Sequence, residues 1–165
     1  MSDRPAPLVP STEANGSAEP MSDTLAPLRV LIVDDEPSMC RALSLGLAWY
    51  GLLPVAVPSA EAALAALAHD QFDVLLVDFR LRDARGDTLF EAAVELQPAL
   101  RDRTLFMTGD ISTEAERAIA ATNCPYLRKP FDMTVAIQAI FARADRSVGR
   151  EPGQELHGRS EGPRA

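Results

Sequence analysis

Short apolar runs and longer segments with helical spacing alternate along the chain. Five apolar runs predict strands at about 29–33, 52–57, 74–77, 104–107 and 125–127. Between and after them, apolar positions three and four residues apart predict helices at about 37–50, 59–69, 88–97, 112–122 and 134–146. The run at 74–77 holds four consecutive aliphatic residues, which is typical of a strand buried on both faces.

This alternation predicts an α/β fold with a five-stranded parallel sheet, doubly wound, with helices on both faces. Residues 28–146 form the predicted domain. Residues 1–27 and 147–165 are rich in Pro, Gly, Ser and charged residues without a period, so we expect disordered tails. Because residues 21–23 repeat the opening tripeptide, both Met1 and Met21 stay open as the start of translation.

Composition mainly excludes function classes. The net charge of −8 argues against a nucleic-acid-binding surface, which needs a basic stripe. We find no signal peptide and no apolar run of the ~18 residues that a membrane span needs, so we expect a cytoplasmic protein without membrane insertion. Cys40 and Cys124 lack metal-type spacing, and we interpret both as reduced, packed side chains.

Polar residues follow four of the predicted strands, and they are Asp34 with Asp35, Asp78, Thr108 and Lys129. The carboxyl ends of parallel strands lie at one edge of the sheet, so these groups are expected to converge. Three carboxylates repel one another unless a cation lies among them, and oxygen ligands alone favour Mg²⁺. Lys129 is the single lysine among 16 basic residues, which suggests that arginine does not suit this position.

These groups are the ones that handle a phosphoryl group: a metal ion, a hydroxyl and an ammonium. Asp78 ends the central strand and is the best-placed nucleophile, which would form an aspartyl phosphate. Simpler interpretations exist for each residue alone. Asp34 and Asp35 could be acids at a helix N-terminus, and Asp78 and Thr108 could be turn residues.

Together, the motifs of residues 28–146 resemble the receiver domain of bacterial two-component response regulators, which has a flavodoxin-like fold. The sequence of these motifs is also similar to that of receivers attached to hybrid histidine kinases. The resemblance rests on Asp34-Asp35, the Asp78-x-x-Leu81 loop that closes at Gly86, Met107-Thr108-Gly109 and Lys129-Pro130-Phe131.

The resemblance implies that Asp78 accepts a phosphoryl group from a phosphohistidine on a histidine kinase or a histidine phosphotransfer protein. It also implies that Mg²⁺ is held by Asp35, Asp78, the backbone carbonyl of Arg80 and, through water, Asp34. We therefore expect a signalling domain that catalyses only its own phosphorylation and dephosphorylation.

The same resemblance assigns Thr108 and Lys129 to phosphoryl oxygens and implies a cis bond between Lys129 and Pro130. Tyr126 matches the switch aromatic of the family. Movement of Thr108 toward the phosphoryl group would make room for Tyr126 and remodel the face of the fourth helix, fifth strand and last helix. The alternative for Tyr126 is that it is only a packed core residue.

One residue departs from the usual family pattern, and two others flank the site. Arg82 stands where the family usually has proline, in an unusually charged loop. Arg80 and Asp110 stand two residues after Asp78 and Thr108, at positions that tune hydrolysis in the family. We hypothesise that they pair and restrict the attacking water; an unchanged phosphoaspartate lifetime in Arg80→Ala would refute this.

Two other functions compete with this interpretation. A phosphatase of the haloacid-dehalogenase type also uses Asp, Lys and Mg²⁺ at strand ends, but its nucleophile follows the first strand in an Asp-x-Asp pattern. A pseudo-receiver would be an interaction module that never binds phosphate. Because the segment after residue 146 is short, we expect no output domain and an output through contact with a downstream protein target. The cognate kinase, the target, the direction of phosphoryl flow and the oligomeric state stay open.

Overall fold

The computed structural model describes residues 26–109 and 112–144. Strands and helices alternate through this part of the chain as predicted. The strands are β1 (Arg29–Val33), β2 (Leu53–Val57), β3 (Val74–Asp78), β4 (Thr104–Thr108) and β5 (Tyr126–Arg128). The α-helices are α1 (Pro37–Trp49), α2 (Ala60–His69), α3 (Gly86–Leu96), α4 (Thr113–Thr122) and α5 (Met133–Ala144).

All five strands form one parallel sheet in the order β2-β1-β3-β4-β5. The predicted doubly wound fold is therefore confirmed. The strand β3 lies at the centre, between β1 and β4, and all of its residues are buried. Asp78, its last residue, pairs in register with Met107 of β4, so the predicted nucleophile lies in the middle of the carboxyl edge of the sheet.

The core consists of two apolar layers, one on each face of the sheet. Leu75 and Val77 of β3 belong to the layer that also contains side chains of α2, α3 and α4. Val74 and Leu76 belong to the layer that α1 and α5 cover. Because successive residues of a strand point to opposite faces, the unbroken apolar run supplies both layers at once.

The structure corrects three details of the predicted elements. The helix predicted from about residue 88 begins at Gly86, and an unpredicted 3₁₀ turn, Pro98–Asp102, precedes β4. The fifth strand lies one residue later than predicted. The predicted tails lie outside the described residues, apart from residues 26–27, which are exposed and have no regular structure, and residue 28 leads into β1.

The first residue of α3 is Gly86, at a point where the chain is too tightly packed for a side chain. Its amide donates a 2.8 Å hydrogen bond to the carbonyl of Phe79. A Cβ atom on Gly86 would lie 2.8 Å from the Cα of Phe79 and 2.9 Å from the carbonyl oxygen of Asp78. The glycine at which the predicted loop closes is thus the close contact that holds α3 against the end of β3.

Candidate phosphoacceptor site

The acidic pair directly follows β1. Asp34 is buried, and its Oδ1 accepts a 2.9 Å hydrogen bond from the amide of Glu36. That bond forms the turn from β1 into α1, which begins at Pro37. Asp34 therefore has a local structural role, yet its second carboxylate oxygen is directed to the site.

Asp78 is buried at the end of β3. Its Oδ1 accepts a 3.0 Å hydrogen bond from the amide of Arg80, so the turn after the strand fixes the orientation of the carboxylate. Its Oδ2 accepts a 2.9 Å hydrogen bond from Nζ of Lys129. Both oxygens are thus oriented by groups of the chain itself.

Lys129 joins two of the carboxylates. Its Nζ lies 2.8 Å from Oδ2 of Asp34 and 2.9 Å from Oδ2 of Asp78. Its backbone amide donates a 2.8 Å hydrogen bond to the carbonyl of Thr108, which ties the segment after β5 to the end of β4. The expected cis bond between Lys129 and Pro130 is present. The compact ammonium thus donates to both carboxylate oxygens from a single nitrogen atom.

Burial and charge shift the pKa values of this pair. Burial raises the pKa of Asp78 above its usual value, and this outweighs the opposing hydrogen bond from Lys129. Burial alone would lower the pKa of Lys129, but its hydrogen bonds to Asp34 and Asp78 outweigh that and raise it. The ammonium is therefore held in its charged form, whereas burial disfavours the charged form of the carboxylate despite the nearby ammonium.

The three carboxylates fit a divalent cation. One oxygen from each of Asp34, Asp35 and Asp78 can be chosen so that all three lie within 4.8 Å of one another. A donor set of carboxylate oxygens matches the preference of Mg²⁺ for hard ligands. Arg80, whose carbonyl was predicted as a further ligand, has its backbone beside Asp78.

The other predicted residues are distributed around this centre. Thr108 is buried at the end of β4, and its backbone carbonyl accepts the hydrogen bond from the amide of Lys129. Tyr126 begins β5 and is partly buried against the layer that contains Phe106. Asp110, the proposed partner of Arg80, lies outside the described residues, so that pairing stays a prediction.

Sequence reasoning missed three polar contacts of the loop after β3. Nε of Arg82 lies 3.5 Å from Oδ2 of Asp35. Asp83 accepts hydrogen bonds of 3.1 Å from the amides of Ala60 and Glu61, at the start of α2. The unusual charge of this loop was the only signal in the sequence, and it did not identify the partners.

Arg85 makes the third of these contacts. Its guanidinium pairs with Asp87 at 3.0 Å and with Glu114 in the first turn of α4 at 3.0 Å. The same guanidinium lies over the ring of Phe79, with 5.4 Å between its central carbon and the centroid of the ring. The loop that follows the predicted phosphoacceptor is therefore connected to both α2 and α4.

Comparison with known proteins agrees with this geometry. Residues 30–141 match the family described as the response regulator receiver domain. The transcriptional regulatory protein GlrR of Escherichia coli strain K12 is 31% identical over 125 residues, which cover 74% of this chain and 27% of that protein. CutR of Streptomyces coelicolor, also a transcriptional regulatory protein, is 32% identical over 129 residues, covering 78% and 57%. The chain thus spans less than two thirds of the length of these relatives.

Solved structures show the same fold. A CheY-like receiver domain protein from Methanospirillum hungatei JF-1 superposes with a TM-score of 0.67 at 26% identity, covering 72% of this chain and 94% of that one. The chemotaxis protein CheY4 of Vibrio cholerae has a TM-score of 0.65 at 24% identity, covering 71% and 98%. Within the described residues, none of the helices is long and apolar enough to cross a membrane.

Proposed function

The chain belongs to the response regulator receiver family of two-component systems, and from this premise we propose that Asp78 is its phosphoacceptor. The observation that carries the proposal is the position of Lys129, whose ammonium bridges Asp34 and Asp78 at 2.8 and 2.9 Å. The carboxylate of Asp78 lies at the end of the central strand, is oriented through both oxygens and lies beside two further acidic residues. We propose residues 28–146 as the receiver unit.

In the proposed reaction, a carboxylate oxygen of Asp78 attacks the phosphorus of a phosphohistidine on a kinase or phosphotransfer protein. The P–N bond breaks, its electron pair returns to the imidazole, and an acyl phosphate forms on Asp78. Water later attacks the phosphorus, which releases inorganic phosphate and a proton and restores the carboxylate. Lys129 and the hydroxyl of Thr108 bind phosphoryl oxygens during both steps.

Asp35, Asp78 and the carbonyl of Arg80, with Asp34 through water, are the proposed ligands of Mg²⁺. When bound, the ion neutralises the charge that the phosphoryl oxygens and the carboxylates accumulate. The residues themselves supply the orientation: Lys129 holds Asp78, and the turn at Glu36 holds Asp34. The phosphatase interpretation is not retained, since the family match covers residues 30–141, nearly all of the predicted domain.

The proposed output is a change in protein contacts. Phosphorylation of Asp78 would draw Thr108 toward the phosphoryl group and allow Tyr126 to move, and α4, β5 and α5 would form the altered face. Partial burial of Tyr126 against the core supports a role that depends on packing. We propose a downstream protein target and a cytoplasmic setting, with no catalysis beyond the chain's own phosphorylation and dephosphorylation.

Intact-mass spectrometry after incubation with acetyl phosphate and Mg²⁺ tests this function. We expect the mass of one phosphoryl group to be added to the wild type, and neither to Asp78→Asn nor to wild type treated with a chelator. Phosphohistidine donors from a panel of kinases provide the second arm. An unmodified wild type in both arms would refute the phosphoacceptor role and leave the interaction module.

A further inference from the structure

Arg82 contacts the acidic cluster from a loop that is itself well anchored. Its Nε lies 3.5 Å from Oδ2 of Asp35, although 87% of its side chain is exposed. Lys129 reaches Asp34 and Asp78, whereas the guanidinium of Arg82 lies beside Asp35. Among these contacts of the described residues, one cation is held inside the site and another lies at its mouth.

Hydrogen bonds within the loop hold the backbone on both sides of Arg82. The amide of Leu81 donates a 3.1 Å hydrogen bond to the carbonyl of Ala84, and Arg80 and Arg85 form a β-bridge on either side. Between them, Asp83 is bonded to the amino end of α2. Since the backbone is held on both sides of Arg82, only the side chain itself must be ordered to reach Asp35.

We propose that Arg82 is a tethered counter-ion that competes with Mg²⁺ for Asp35 and so limits the affinity of the site for the metal. The inference rests on the proposed function, because it requires that the cluster binds Mg²⁺. Asp35 cannot serve both cations equally, since the guanidinium and a divalent ion at the same carboxylate repel each other. Binding of the metal therefore includes the loss or weakening of the Arg82–Asp35 pair.

The expected effect is modest because the pair is exposed. Exposed ion pairs contribute roughly 0.2–1 kcal/mol, which corresponds to a change in affinity of roughly 1.5- to fivefold. Removal of Arg82 should therefore tighten Mg²⁺ binding by about this factor. The gain should shrink at high ionic strength, because salt screens exposed charges.

The test is a Mg²⁺ titration of the unphosphorylated full chain, followed by backbone amide shifts in NMR spectra. The variants are Arg82→Ala, Arg82→Lys and the matched control Arg101→Ala. Arg101 is an exposed arginine in the 3₁₀ turn before β4, at the opposite edge of the sheet, so its removal changes the net charge equally without touching the site. We expect tighter binding in Arg82→Ala, affinity near the wild type in Arg82→Lys, and no change in Arg101→Ala.

The possible outcomes distinguish a failure of this inference from a failure of the proposed function. Saturable binding by the wild type with equal affinities in Arg82→Ala and Arg101→Ala would overturn the role of Arg82 and leave the metal site intact. Weaker binding in Arg82→Ala would also overturn it, since the residue would then assist the metal. A wild type without saturable binding would refute the proposed metal site and the inference together.

Discussion

The two edges of the sheet both hold buried polar side chains, but they satisfy them differently. At the amino edge, Gln97 is buried and uses both ends of its amide. Its Oε1 accepts from the amide of Phe72 at 3.1 Å, and its Nε2 donates to the carbonyls of Leu67 at 2.9 Å and Asp70 at 2.6 Å. This network is neutral and is completed by the chain itself.

At the carboxyl edge, three carboxylates share one partly buried ammonium, that of Lys129, and an exposed guanidinium. The pKa of Asp78 is raised there mainly by burial. The buried amide of Gln97 at the amino edge is neutral, and its contacts are all with backbone groups. A polar network that is complete in hydrogen bonds and charge stabilises the fold. A cluster with excess charge of one sign instead indicates a site that an external cation completes.

Apart from replacement of Asp78 itself, replacement of Lys129 should have the largest effect on chemistry. Lys129→Ala removes the ammonium that orients Asp78 and is proposed to bind a phosphoryl oxygen, so we expect the phosphorylation rate to fall on the order of 10²- to 10³-fold. Mass spectrometry of samples quenched at successive times after addition of acetyl phosphate measures this rate. Lys129→Arg keeps the charge but brings a planar fork, and it should recover only part of the rate.

A rate for Lys129→Ala within about threefold of the wild type, in a variant with native circular dichroism, would contradict the account of the carboxyl edge. Such a small loss amounts to less than ~1 kcal/mol of barrier, too little for a direct contact with the phosphoryl group.

Replacement of Gln97 should have the largest effect on stability and little on chemistry. Gln97→Ala leaves the amide of Phe72 and the carbonyl of Leu67 without this partner, so we expect the free energy of unfolding to fall by about 2–3 kcal/mol. Chemical denaturation measures it. Gln138→Ala, at an exposed position of α5, is the matched control and should change little. Equal losses in both variants would remove the contrast between the edges.

Replacement of Asp83 should have the smallest effect and should depend on pH. Asp83→Ala removes the acceptor at the start of α2 and should lower the free energy of unfolding by about 1 kcal/mol near neutral pH. Asp83→Asn keeps an acceptor oxygen and should lose less.

The hydrogen bond from the amide of Ala60 is the main reason that the pKa of Asp83 is lowered in the folded chain. A lowered pKa stabilises the fold above the unfolded value near ~3.9, and this stabilisation is lost as the pH falls through the folded value. The difference between wild type and Asp83→Ala should therefore shrink as the pH falls from about 5 to about 2. A difference that is constant over this range would show that the charge of Asp83 does not matter.

The hydrophobic pattern predicted the strands and therefore the residues at their ends. Asp78 and Lys129 could be placed together from sequence because parallel strands bring their carboxyl ends to one edge. The sequence predicted that the loop closes at Gly86 and that the helix begins at about residue 88, because the close approach of Phe79 to this glycine is not visible in the sequence.

The polar contacts that hold the loop and the amino edge could not be predicted in this way. Asp83 is separated by 23 residues from its partner Ala60, and Gln97 by 30 from Leu67. A single polar residue in a loop or at the end of a helix has no period that points to a partner. Such contacts depend on how the packed elements lie against each other, which the pattern of apolar positions does not specify.

The central claim is that Asp78, and not its acidic neighbours, carries the phosphoryl group. The wild type is treated with acetyl phosphate and Mg²⁺, reduced with borohydride, which converts an aspartyl phosphate to homoserine, and analysed by peptide sequencing in a mass spectrometer. The account predicts homoserine at position 78 with Asp34 and Asp35 unchanged. Homoserine at position 34 or 35 with Asp78 unchanged would contradict it.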